Sequence, residues 1–408
     1  MKTQRCKGTR DLSPGEMAVF RLIEGTFRDA CRKWGYEEVR TPTLEYLHLF
    51  TSVGTLTPGM LGRVYSFLDW DGWSGERVVL RPDGTIPVAR LYIDSLEKEK
   101  LAKLFYVANT FIFEATGEKT RERWQCGAEM IGVSSPSADV ELVMLALEVL
   151  QRLQIDGVKL KMSHAGLIRA LLARLGLSSE EQARVFDRIL DGDGKELAEL
   201  GLDRTKLETL SALLGLKGKS STFVKGLKAL LAPDLAGLQP GIDDLVSVAE
   251  LLESLGADYQ IDLASVRDFE YYTGAIFQIF RGKDKIGGGG RYDALIPLMG
   301  GRDTPASGVA LYLDRLMGLV KPEALTQVEA PKVLVRAKPE VSKEGFSLVA
   351  RLHKAGYRAE FNLGAQSRAD FGWTLDVQSQ APKFILTDRA EKKFEARTIS
   401  EVLKLLAK

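Results

Sequence analysis

Residues 286–293 read Ile286-Gly287-Gly288-Gly289-Gly290-Arg291-Tyr292-Asp293. Four consecutive glycines weaken any helix or strand that holds them, since each loses more backbone freedom on folding than another residue would. Such a run reads as a flexible hairpin turn, or as backbone left bare so that another group can come close. Arg291, Tyr292 and Asp293 follow at once and add a cation, a hydroxyl and a carboxylate. Upstream, Arg267-Asp268-Phe269-Glu270-Tyr271-Tyr272-Thr273-Gly274 puts two adjacent aromatics before Thr-Gly, the end of one strand and the opening of the next. It reads as a buried aromatic pair at a bend, or as a tyrosine hydroxyl and Arg267 facing a polar ligand.

Outward from these runs, strand patterns fall at 37–40, 77–80, 103–113, 129–133, 258–263 and 275–280. Residues 15–34 have helical spacing, with Phe20, Ile23, Phe27, Ala30 and Cys31 on one face, and a long helix is expected over about 137–153. The stretch 165–255, dense in Leu, Ala, Lys and Glu with Gly breaks, reads as a helical insertion. Strands outnumber βαβ alternations, which predicts an α+β fold: an antiparallel sheet flanked by helices, over residues 1–325. Pro322 and Pro331 flank a linker. Beyond it, strands at 333–335, 358–361 and 384–386 alternate with helices at 343–355 and 398–406, so 331–408 reads as a small α/β domain.

With 408 residues, 45% hydrophobic and 27% charged, the composition is that of a soluble globular protein. No apolar run is long enough to span a membrane, and the N-terminus lacks the apolar core of a signal peptide. Cys6, Cys31 and Cys126 are few and widely spaced, as expected of a cytoplasmic protein with neither disulfide framework nor metal site. The histidines, His48, His164 and His353, are too scattered for a metal cluster. Chemistry therefore falls to arginines, carboxylates and backbone amides. Net charge is +1, but 331–408 carries 15 Lys+Arg against 9 Asp+Glu.

Together and in this order, the two motifs resemble the histidine-specific signatures of histidyl-tRNA synthetase, a class II aminoacyl-tRNA synthetase. Further runs match. Gly8-Thr9-Arg10-Asp11-Leu12 is similar to the family's N-terminal run, and Gly35-Tyr36 through Thr41-Pro42 to motif 1, whose proline sits at the dimer interface. Leu80-Arg81-Pro82-Asp83-Gly84-Thr85 also matches, as do Gln125 through Glu129 (the end of motif 2) and Gly308 through Arg315 (motif 3). The resemblance covers about 5–320, and 331–408 is similar, more weakly, to an anticodon-binding domain. It implies a histidine pocket lined by Asp83, Thr85, Gln125, Glu129, Arg267, Tyr271, Tyr272, Gly288, Gly289 and Tyr292. Asp83 and Gln125 suit an ammonium group, Glu129 and Tyr272 imidazole nitrogens, and Arg267 a carboxylate.

The departures lie elsewhere. Ile112 stands where the family's motif 2 arginine grips the α-phosphate of ATP, and an aliphatic side chain cannot neutralise a phosphoryl group. Tyr312 stands at the glycine on which adenine would lie. Arg121 and Arg315 remain as phosphate-side cations. This asymmetry resembles the regulatory subunits of ATP phosphoribosyltransferase, non-aminoacylating paralogues of the synthetase that pair with a short-form catalytic subunit and convey feedback inhibition by histidine. The resemblance implies histidine binding without catalysis, no cofactor, and a homodimer through motif 1. The alternative is a divergent histidine–tRNA ligase, with Arg267 and Arg315 catalytic, ATP and Mg as cofactors and tRNA as partner. A third reading is a stand-alone amino-acid or tRNA-binding paralogue.

Overall fold

The computed structural model describes residues 4–53, 64–69, 75–112, 121–178, 215–230, 237–263, 271–321, 332–364 and 371–407, with residues 181, 203, 204, 207, 208 and 211. The chain forms two compact units, Met1–Lys321 and Pro322–Lys408.

Unit one is built on a nine-stranded sheet. Its strands run in the order β1 (Glu37–Glu38), β5 (Ala102–Phe111), β6 (Glu122–Ile131), β12 (Ala306–Tyr312), β11 (Asp284–Arg291), β10 (Ala275–Arg281), β7 (Val158–His164), β9 (Tyr259–Asp262) and β8 (Lys217–Gly218). From β5 to β7 every pairing is antiparallel, while β1 joins β5 and β9 joins β7 in parallel. The sheet is therefore antiparallel at its centre and mixed at its margins. β8 lies inside the stretch read as a helical insertion, so that stretch also extends the sheet. Its described helices are Ala165–Arg174, Ser221–Leu230 and Gln239–Ser254, and the rest lies outside the described residues.

Residues that face one another across the ladders alternate between two unlike surfaces. Phe105, Cys126, Ala128, Met130, Phe277, Ile279, Val309 and Leu311 form an apolar face. The helices Pro14–Lys33, Pro136–Arg152 and Gln239–Ser254 cover it with Phe20, Ile23, Phe27, Leu142, Leu145, Val149, Ile242, Leu245 and Leu252. The opposite face carries Tyr106, Gln125, Gly127, Glu129, Gly288, Gly290, Gly308 and Tyr312, joined by register. Part of it is roofed by the helix Thr85–Leu91 and by Leu295 and Ile296, which pack with Tyr92, Leu104, Tyr106 and Tyr292.

The glycine run is not a turn. Gly287–Gly290 lie in β11, buried between β10 and β12, and the hairpin before it turns at Gly282, whose φ is +62°. None of the four has positive φ; they are glycines because of what lies beside them. A Cβ on Gly289 would land on the carbonyl of Gly308, and one on Gly290 on that of Ala275. The strand expected over 103–113 ends at Phe111, with Phe113 outside the described residues. A separate three-stranded sheet orders β2 (Leu44–Tyr46), β4 (Arg77–Leu80) and β3 (Ser66–Leu68).

Among its described residues, unit two has five strands where the sequence showed three. β14 (Arg358–Phe361), β13 (Lys332–Ala337) and β15 (Trp373–Val377) are parallel, and β16 (Phe384–Asp388) and β17 (Lys393–Ala396) continue antiparallel. Val333, Val335, Leu348, Leu352, Leu375, Leu386 and Val402 make its own core.

Candidate functional site

Glu129 is the centre of the polar face. It sits in mid-β6 at 1% exposure, opposite Leu104 on β5 and Gly308 on β12. Gly308 has to be glycine, since a Cβ there would fall on the Glu129 carboxylate. Three hydroxyls donate to that carboxylate. Thr85 (2.8 Å) and Tyr106 (3.3 Å) reach Oε1, and Tyr292 (2.5 Å) reaches Oε2. Burial pushes the Glu129 pKa up to about 8; the Tyr292 and Thr85 hydroxyls pull it down, and the charge of Asp83 pushes it further up. Burial holds the Tyr106, Tyr271 and Tyr292 hydroxyls well above their ordinary range, so they remain donors.

Asp83 caps the Thr85–Leu91 helix from outside. Its Oδ1 accepts the backbone N–H groups of Thr85 and Ile86, and its Oδ2 accepts from Tyr271 at 3.4 Å. One carboxylate thus holds both a helix start and a pocket tyrosine. Tyr271, Tyr272 and Tyr292 form an aromatic cluster with ring centroids 4.9–6.5 Å apart. Gln125 lies on the Glu129 face, opposite Tyr312, and its Oε1 is buried without a hydrogen-bond partner among the described residues. Such an acceptor suits a ligand N–H, because leaving it unmet costs free energy.

Of the expected pocket residues, Thr85, Glu129 and Tyr292 are joined by hydrogen bonds, Asp83 is bonded to Thr85 and Tyr271, Tyr272 packs beside Tyr271 and Tyr292, and Gln125 lies on the same sheet face. Register places Gly288 on the same face, whereas Gly289 turns toward the apolar layer. Arg267 lies outside the described residues. Arg291 is not a pocket cation. It points through the helix-covered side, where it donates to Asp139 (2.8 Å) and to the carbonyls of Ser135 (2.7 Å) and Val133 (3.3 Å). Asp293 accepts from the backbone N–H of Ala306, and its own N–H donates to Thr273. Both residues pin Tyr292 in place.

Sequence reading missed Tyr106. Its ring fills the space beside two glycines, Gly84 and Gly127, where any Cβ would collide with it. The glycine in mid-strand β6 was the available signal.

At the far end of the face, β5 gives way to Ile112, whose N–H donates to the Arg121 carbonyl at 3.1 Å. Tyr312 is half-buried, with Lys285 Nζ 5.8 Å and the Arg315 guanidinium carbon 5.9 Å from its ring centre. Arg315 also donates to the Lys285 carbonyl at 3.1 Å. Asp314 accepts from Arg10 (2.6 Å) and from the Trp124 backbone, tying the N-terminal run to β6.

The sheet, the helices on one face and the pocket on the other define a class II aminoacyl-tRNA synthetase-like protein. Histidyl-tRNA synthetase from Nostoc sp. PCC 7120 has this fold, with a TM-score of 0.76 at 18% identity over 100% of this chain and 99% of that one. The histidyl-tRNA synthetase family profile matches residues 8–316, and the chain belongs to that family. Within it, the chain is 49% identical to an ATP phosphoribosyltransferase regulatory subunit from Dehalococcoides mccartyi, over 98% of each chain. It is 32% identical to a histidine–tRNA ligase from Methanosarcina acetivorans, over 99% of this chain and 98% of that one. A Bacillus halodurans structure titled ATP phosphoribosyltransferase regulatory subunit/histidyl-tRNA synthetase has a TM-score of 0.75 at 25% identity, over 91% of this chain and 95% of that one.

Proposed function

We propose that this chain is a regulatory subunit of ATP phosphoribosyltransferase, which binds histidine in the Glu129 pocket and conveys feedback control to a short-form catalytic subunit in the cytoplasm without aminoacylating tRNA. The observation that carries this reading is the asymmetry of the polar face. The end around Glu129, Thr85, Gln125 and the tyrosines is assembled for a small ligand rich in N–H groups. The other end has Ile112 and Tyr312 where a nucleotide would need a cation and open floor. The 49% identity to proteins named as regulatory subunits supports it. Feedback control would be a linkage, in which histidine binds two states of the complex with unequal affinity. A homodimer is also part of this reading. Leu44, Tyr46 and Phe67 stand 43–47% exposed on one face of the β2–β4–β3 sheet just after Thr41-Pro42, an apolar patch suited to a second copy.

Calorimetry with histidine, an ATP–pyrophosphate exchange assay and co-purification with a short-form catalytic subunit test the proposal. Micromolar to millimolar histidine binding, no exchange and a stable complex are expected. Histidine-dependent exchange would overturn it in favour of a divergent histidine–tRNA ligase. That second reading is favoured by Arg315 at the edge of the site, and by exposed Phe346 stacked on Phe361 in the basic second unit. Failure to bind histidine would remove both.

A further inference from the structure

Tyr106 is buried, and its position is over-determined. Its ring lies where side chains at Gly84 and Gly127 would otherwise be, and its hydroxyl ends on Oε1 of Glu129, which also accepts from Thr85. Two glycines on different elements, the loop before the Thr85–Leu91 helix and strand β6, therefore make room for one tyrosine. Packing alone would be served as well by phenylalanine; the hydroxyl is explained by the carboxylate it meets. A carboxylate offers about four acceptor directions. Thr85, Tyr106 and Tyr292 take three of them on Glu129. A ligand N–H would take the fourth.

We propose that Tyr106 is a positioning residue which, through its hydroxyl, fixes the Glu129 carboxylate as an acceptor for a ring N–H and so makes the pocket selective for an imidazole-bearing amino acid over a hydrocarbon isostere. The proposal rests on the histidine reading above. No covalent step is involved: the role assigned to Tyr106 runs through its hydrogen bond to Glu129. The groups facing Glu129 are Thr85 and Asp83 from the helix start, Tyr106 from β5, and Tyr292 with Tyr271 from beyond β11 and β10. All but Asp83 are hydroxyls. Losing one donor leaves the carboxylate anion less supported, because a hydrogen bond to an ionised group favours that form.

The test uses the full chain and two replacements at position 106. Tyr106→Phe keeps the ring; 3-fluorotyrosine keeps the shape and makes the hydroxyl a stronger donor. Histidine affinity is measured by calorimetry between about pH 5.5 and pH 9, beside the thermal melt of each ligand-free protein. With Tyr106→Phe, affinity at neutral pH should fall about tenfold, the size of a lost hydrogen bond to a charged group, and the pH midpoint of binding should move up. With 3-fluorotyrosine the midpoint should move down. A residue that served packing alone would leave both midpoints at the wild-type value, and that result overturns the proposal, as does a downward shift with Tyr106→Phe. If the wild type itself binds no histidine, the functional reading has failed instead. If Tyr106→Phe does not fold, the fluorotyrosine arm still decides.

Discussion

Glu129 shows how a single residue turns burial into chemistry. In the unfolded chain its carboxyl titrates near 4.5, and in the folded protein at about 8. Between those values the native state holds a proton that the unfolded chain has lost. Stability from this group is therefore complete below about pH 4.5 and falls as pH rises through 8. The shift amounts to several kcal/mol at about 1.4 kcal/mol per unit. Glu129→Gln removes this titration. Ligand-free melting followed from about pH 5 to pH 8.5 should show the wild type losing stability relative to the variant, which also loses histidine binding. Parallel pH curves would refute the account. Arg291 teaches the opposite lesson: beside Tyr292 in a polar motif it looks like a ligand group, yet its guanidinium meets Asp139, 152 positions away, and serves the frame.

At the scale of elements, β11 is a strand made of residues that disfavour strands. Its glycines are tolerated because β10 and β12 close on both sides, and required because neighbouring carbonyls stand where Cβ atoms would be. Gly289→Ala should cost about 2–3 kcal/mol, the scale of overpacking against backbone that cannot move aside. Gly226, exposed within Ser221–Leu230 with nothing near its missing Cβ, gives the contrast. Gly226→Ala should stabilise by about 0.5–1 kcal/mol, because alanine costs less entropy in a helix. Urea unfolding of both variants checks the signs, and a neutral Gly289→Ala would mean that β11 can shift. The bare composition of this strand could be seen in the sequence. Its place in mid-sheet could not, because a glycine run has no hydrophobic period to report a buried face.

At the scale of the molecule, the exposed row Leu44, Tyr46 and Phe67 sets the expectation for assembly. Tyr46 and Phe67 both stand opposite Val78, so their side chains share one face of the small sheet. Tyr46→Glu places a charge in that row. Sedimentation should show a dimer for the wild type and a weakened one for the variant, with helix content unchanged; a wild-type monomer would remove the dimer from the proposal. The helices Pro14–Lys33 and Pro136–Arg152 and the central strands β5 and β10 follow from local periodicity and, unlike β7 and β12, which gave no such signal, were open to sequence reading. The parallel margins at β1 and β9, the strands β15 and β17, and the partner of each buried polar group were not. Local period reports which face of an element is apolar; it carries no information about which distant strand lies alongside. The sequence by itself determined the family motifs, the polar residue types within them, and the aliphatic residue at position 112. Only the tertiary structure decided that Gly308 makes room for Glu129, that Tyr106 lies against Gly84 and Gly127, and that Arg291 belongs to Asp139. Those pairings depend on strand register and close packing between residues far apart in the chain, and such contacts exist only once the sheet has formed.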